Sequence, residues 1–218
     1  MFSFLTFSCW SGRRFFPRVE VFYAVKCNPD PYLVQSLNVL GCNFDCASQG
    51  EIALVKKYTA EHNRQPEIVY ANPCKAPSHI RYALSQGVTL MTFDNVAEVE
   101  KCARIQKLWD NQPQQSTTAT SKTRLQLILR IVTDDRGAQC RLSSKYGAPR
   151  HQWRPLLAAA MQHGIPVVGV SFHVGSGCRD ASRYEAALND AREVFDMAKQ
   201  DFGMDMHLLD IGGGYVMS

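Results

Sequence analysis

Seven short apolar runs, with stretches of helical length between them, constrain this chain more than any other feature. The runs fall at 21–28, 43–46, 67–71, 88–93, 125–131, 166–173 and 207–211. Strict alternation of this kind predicts a parallel sheet with helices packed on it. The connecting stretches carry helix signals of their own. Pro29 and Pro31 suit a helix start, with Tyr32, Leu33, Leu37 and Leu40 as its apolar face and Gly41 as its stop. Ser48 and Glu51 have the spacing of a capping box ahead of Ile52, Leu54 and Val55. Ser78 opens a helix that Gly87 ends, and Asn95 caps one reaching about Trp109. Two more are predicted over 152–163 and 183–200.

Seven strands suit either an open doubly wound sheet or most of an eight-stranded barrel. Lys26, Asp45, Asn72, Asp94, Arg130, His173 and Gly212 all stand at or just beyond the C-terminal end of a run. A barrel gathers those ends at one mouth, whereas an open sheet uses only the strands at its switch point. The expected fold is therefore α/β, an incomplete (β/α)8 TIM-type barrel of about seven parallel strands. A complete barrel takes about 250 residues and an eighth strand, which this sequence does not supply.

Composition removes several function classes. The net charge of +4 is spread along 218 residues, with no basic run to suit nucleic acid. The eight cysteines are scattered and none has CxxC spacing, so they read as reduced, buried thiols of a cytoplasmic protein and not as metal ligands. No apolar run reaches membrane-spanning length. Residues 1–18 read as a leader without a secretion signal's basic start and cleavage site. The barrel domain is expected over 19–218, with a polar Gln/Ser/Thr insertion at 110–123. The loop at 133–150 is longer than a plain connection needs.

Three places carry reactive groups. In 21–28, read Val-Phe-Tyr-Ala-Val-Lys-Cys-Asn, Lys26 is the only charged residue, delivered at the end of what reads as a buried strand. An ammonium there either snorkels into water or, partly desolvated, becomes an amine nucleophile toward a carbonyl carbon. His173 ends an apolar run and is followed by Gly175, Ser176 and Gly177. It reads as a hydrogen-bonded core histidine or as a ligand-facing ring beside small residues that admit an anion. Gly212, Gly213 and Gly214 follow the last run and suit a phosphate cradle or a tight turn. Arg141 adds an isolated cation in the long loop.

Taken together, these residues are recognisable. The chain resembles the eukaryotic ornithine decarboxylases, in the alanine-racemase-like class of pyridoxal-phosphate enzymes. The resemblance rests on Phe22-Tyr23-Ala24-Val25-Lys26-Cys27-Asn28, Phe44-Asp45-Cys46-Ala47-Ser48, Tyr70-Ala71-Asn72-Pro73-Cys74-Lys75, Met91-Thr92-Phe93-Asp94 and Cys140-Arg141-Leu142-Ser143, then on 171–177 and 209–214. It runs in order from about Val21 to Tyr215. It implies that Lys26 holds pyridoxal 5'-phosphate, that His173 stacks on its ring, that Ser176 and Gly212 to Gly214 cradle its phosphate, and that Asp45 and Arg141 form the polar network near Lys26. The implied reaction is decarboxylation of L-ornithine to putrescine, in a cytoplasmic homodimer open to antizyme.

The sequence also departs from the family's pattern. The eighth strand with its Glu-Pro-Gly-Arg motif, and a C-terminal β-domain carrying substrate-binding residues, have no counterpart. The expectation is a partial or inactive form of the enzyme. The alternatives are a non-catalytic regulator resembling antizyme inhibitor and a single-domain pyridoxal-phosphate binder. Substrates such as arginine or diaminopimelate stay open, because the substrate-choosing residues lie in the part without counterpart.

Overall fold

The computed structural model describes residues 19–111, 124–136, 138–139 and 145–213. The elements run β1 (Phe22–Ala24), a 3-10 turn (Val25–Cys27), α1 (Pro31–Val39), β2 (Asn43–Cys46), α2 (Gln49–Thr59) and β3 (Ile68–Tyr70). They continue with α3 (Pro77–Ser85), β4 (Leu90–Phe93), α4 (Val96–Asp110), β5 (Gln126–Arg130), α5 (Arg150–Gln162), β6 (Val167–Ser171), α6 (Ala181–Phe202) and β7 (Leu208–Asp210). The chain divides into two compact units, one of residues 1–72 and 81–89, the other of 73–80 and 90–218. No helix among the described residues is long and apolar enough to cross a membrane.

In the first unit, β1 pairs in parallel with β2 and β2 with β3. The 21–28 run is not one buried strand. Its ladder covers only Phe22–Ala24, ends where Ala24 meets Asp45, and leaves those three residues half-buried. Among the described residues β1 pairs with β2 alone, and β2 itself ends one residue past Asp45. Val25–Cys27 then tightens into a 3-10 turn. α1 begins as expected, because Asp30 Oδ1 accepts the Leu33 N–H at 3.0 Å and Pro31 fills the first position. Its inner face, however, is Val34, Leu37 and Asn38, and Tyr32 is 79% exposed. The cap fixes the phase of the helix, and Tyr32 lies two positions from Val34, on the far side.

α2 carries a variant of the predicted capping box. Ser48 Oγ accepts the Glu51 N–H at 3.2 Å, while Glu51 Oε2 accepts from the N–H of Ala47, not of Ser48, at 2.7 Å. At the other end of β2, Arg64 donates to Asn38 Oδ1, the Cys42 carbonyl and Asn43 Oδ1. Asn43 Oδ1 also accepts from the Glu67 N–H at 3.1 Å. One guanidinium thus ties α1 to β2, and its partner Asn43 reaches the residue before β3.

In the second unit, β4 to β7 are parallel and pair in chain order. Met91, Phe93, Leu127, Leu129, Val170 and Trp153 are buried in its core, and the Trp153 indole N–H donates to the Ala148 carbonyl at 3.0 Å. Asn95 caps α4 by accepting the Glu98 N–H at 2.9 Å. α6 ends at Gly203, with φ +62° and the Met204 N–H returning to the Ala198 carbonyl at 2.9 Å. Except for β2, which fills its run of 43–46, the strands are shorter than their apolar runs. The 133–150 loop is pinned at its far end, where Ala148 bridges Ile131 and Asp94 Oδ2 accepts the Gly147 N–H at 2.9 Å.

Candidate functional site

Each unit presents its polar residues at the C-terminal ends of its strands. In the first unit, Lys26 sits in the 3-10 turn after β1 and is exposed, not drawn into the core. The shortening of β1 explains this: the turn lifts Lys26 beyond the last paired residue, while Val25 behind it is fully buried. Asp45 is half-buried on β2, in register with Ala24 and Val69. Beside it, the Asn72 side chain donates to the Ala47 carbonyl at 3.2 Å and ties the end of β3 to the β2–α2 loop.

In the second unit the predicted histidine and glycines come together. His173 Nδ1 accepts the Gly175 N–H at 3.0 Å. An accepting Nδ1 places the neutral ring's proton on Nε2. The His173 carbonyl is held in turn by the Thr133 hydroxyl at 2.8 Å. Gly212, with φ +68°, lies against the same residue: a Cβ there would stand 2.5 Å from the Phe172 carbonyl oxygen and 3.1 Å from His173 Cα. Only glycine fits that approach. Gly213 differs, since the nearest atom to a Cβ built on it is His173 Nε2 at 4.0 Å. Gly213 therefore lies beside the imidazole without crowding it. Ser176 is exposed, and its carbonyl accepts the Gln139 N–H at 3.0 Å. Arg141 and Gly214 lie outside the described residues.

Beneath His173 runs a polar row that the sequence reading left out of the site. Arg130 of β5 is in register with Ser171 of β6, and Ser171 with Asp210 of β7. His173 follows Ser171 by two residues and so rises on the same face. Asp210 Oδ1 accepts the Gly212 N–H at 2.8 Å. Burial pushes the Asp210 carboxyl above its ordinary value, against the opposing effects of that N–H and of the Arg130 charge. Ser171 Oγ is buried and has no hydrogen-bond partner among the described residues. The one signal in the sequence was an acid closing the apolar run Leu208-Leu209-Asp210 just before the glycines.

A family model described as pyridoxal-dependent decarboxylase, pyridoxal binding domain, matches residues 7–218. The chain belongs to this family. It is 48% identical over 199 residues to ornithine decarboxylase of Mus musculus, covering 91% of this chain and 39% of that protein. It is 47% identical over 199 residues, with the same coverage, to antizyme inhibitor 2 of Xenopus laevis. Among solved structures, the Paramecium bursaria Chlorella virus arginine decarboxylase superposes with a TM-score of 0.83 at 33% identity, covering 98% of this chain and 52% of that one. This pyridoxal-binding chain thus spans about two-fifths of the curated relatives and half of the solved structure. Its fold is the α/β TIM-type barrel fold of the decarboxylases, represented by seven parallel strands.

The family's cofactor is pyridoxal phosphate, and the described residues fit it. In the second unit, a flat imidazole held from its backbone side and the neighbouring Ser176 and Gly213 match an aromatic ring and a phosphate. In the first unit, taken by itself, the exposed Lys26 amine matches an aldehyde.

Proposed function

We propose that this domain holds pyridoxal phosphate through Lys26 and serves the decarboxylation of L-ornithine to putrescine. The observation that carries the reading is the His173–Gly213 arrangement, a tethered ring beside a glycine at which even a Cβ would come no nearer than 4.0 Å to Nε2. When bound, the cofactor supplies an electron sink for the charge left as carbon dioxide departs. The protein's part is positional. The Gly175 N–H and the Thr133 hydroxyl fix the His173 ring and its backbone, so the ring covers one face of a planar group without reorganising. The exposed Lys26 amine is free to meet a carbonyl carbon and to exchange it for a substrate amine. Asp45, one residue before the end of β2, supplies a negative charge there, and Arg141 a positive one in its own loop.

The test is an absorbance titration of the chain with pyridoxal phosphate, followed by borohydride reduction and peptide mapping. A visible band trapped on Lys26 and lost in Lys26→Ala supports the reading. Label scattered over surface lysines overturns it. Carbon dioxide release from ornithine, compared with arginine and lysine, then assigns the substrate. We further place the protein in the cytoplasm, a reading supported by unbridged thiols at Cys27, Cys42, Cys46, Cys74, Cys102 and Cys178, of which Cys27 and Cys74 are exposed and not buried as expected. A homodimer is proposed on the family resemblance alone.

One observation favours a second reading, since antizyme inhibitor 2 of Xenopus laevis is as similar to the chain as the mouse decarboxylase is. Under that reading the chain captures antizyme and releases no carbon dioxide from ornithine. Both measured on one preparation separate the two.

A further inference from the structure

The Asp210–Gly212 contact uses one of the donors that a glycine cradle would otherwise offer. With its N–H bonded to Asp210 Oδ1 at 2.8 Å, and the Phe172 carbonyl standing where a side chain would begin, Gly212 faces its own chain. No described residue accepts the Gly213 N–H. Arg130 lies two strands away on the shared register row, and its charge favours the ionised acid. The row also explains why an acid stands there. Ser171 between them is buried without a hydrogen-bond partner among the described residues, so it takes neither the acid nor the guanidinium.

We propose that Asp210 is the positioning residue of the glycine turn, fixing Gly212 so that the Gly213 N–H meets the cofactor's phosphate. This rests on the pyridoxal-phosphate reading of the site. Asp210 touches no part of a ligand itself and acts through the peptide of Gly212. An acid that merely ended β7 would support the fold without favouring any part of a ligand. A positioning acid tunes recognition of the phosphate alone.

The experiment uses the full chain as wild type, Asp210→Asn and Asp210→Ala. Affinities for pyridoxal phosphate and for phosphate-free pyridoxal are measured by titration, and amide hydrogen exchange is followed at Gly212 without ligand. Loss of one charge-assisted hydrogen bond predicts, for Asp210→Ala, about tenfold faster exchange at Gly212 and about tenfold weaker pyridoxal phosphate binding. Pyridoxal binding stays unchanged. Asp210→Asn keeps an acceptor oxygen and stays close to wild type in both readouts. Equal weakening for both ligands, unchanged exchange in Asp210→Ala, or an Asn variant as impaired as Ala overturns the proposal. A wild-type chain that binds neither ligand defeats the cofactor reading, and the exchange rates still decide whether Asp210 fixes the turn. Should Asp210→Ala fail to fold, the two affinities and the exchange rate of Asp210→Asn, expected near wild type, decide in its place.

Discussion

Lys75 Nζ lies 2.9 Å from Glu98 Oε1, and the two side chains are 0% and 1% exposed. The ammonium also donates to the Thr92 carbonyl at 2.7 Å, and Glu98 takes a second cation, Lys101, at 2.6 Å. Desolvating two charges costs several kcal/mol per ion, and the pair persists because its hydrogen bonds are nearly complete. The result fastens the segment after β3 to the end of β4, two residues before Asp94. Lys75→Met therefore leaves Glu98 poorly compensated and lowers stability by about 3–5 kcal/mol. Removing both charges in Lys75→Met/Glu98→Leu recovers most of that loss. Urea unfolding of the three proteins checks this; a double variant as unstable as the single one would show that the packing, not the charge, was at stake.

Asp210 gives the chain a defined pH signature. Burial raises its folded-state pKa above the ordinary 3.8. Between those two values the native state binds more protons than the unfolded one, so stability falls as pH rises through that window. The Gly212 N–H and Arg130 limit the rise without cancelling it. Asp210→Asn removes the titrating group, and its stability curve is flatter over the same interval. Thermal melts taken across the acid range in wild type and Asp210→Asn read the difference directly.

The local signals were legible and the long-range ones were not. Ser48 and Asn95 announced their helices because a cap needs only a side chain and an N–H three residues on. The seven strands were legible because buried parallel strands leave short apolar runs. The same logic overextended the first run: hydrophobicity shows what can be buried, not where a partner strand ends, and Lys26 came out exposed. The inner face of α1 was misplaced because Leu33 and Leu37 fit two phases, which only packing decides. Lys75 and Glu98 are 23 residues apart, and Arg130 meets Asp210 only through the register of three strands. Nothing in the spacing of those residues encodes the contact.

Thiol chemistry separates the cysteines by environment. Burial pushes the Cys102 thiol up to about 11, and Cys46 is raised further by burial and by the neighbouring carboxylates Glu51 and Asp45. Cys27 and Cys74 are exposed. At pH 8, an alkylating reagent modifies Cys27 and Cys74 rapidly and leaves Cys46 and Cys102 until the chain unfolds, since the thiolate is the reactive form. Mass-spectrometric mapping over time measures the order. Cys27 also follows Lys26 directly, so its labelling slows when pyridoxal phosphate is bound; equal rates with and without the cofactor would place the cofactor elsewhere.

Gly212 and Gly213 are adjacent glycines with opposite sensitivities to a methyl group. At Gly212 the backbone sits at φ +68° and a Cβ would press on the Phe172 carbonyl at 2.5 Å. Left-handed strain alone costs about 1–2 kcal/mol, and the clash forces the backbone to move as well. Gly212→Ala therefore lowers the melting temperature. At Gly213 the nearest atom to a Cβ is His173 Nε2 at 4.0 Å, an ordinary contact distance. Gly213→Ala keeps the fold intact but occupies the space before the imidazole. It therefore weakens pyridoxal phosphate binding with the melting temperature unchanged. The reverse pattern, a stable Gly212→Ala beside an unstable Gly213→Ala, would mean that the turn is held otherwise than by Asp210 and the Phe172 carbonyl.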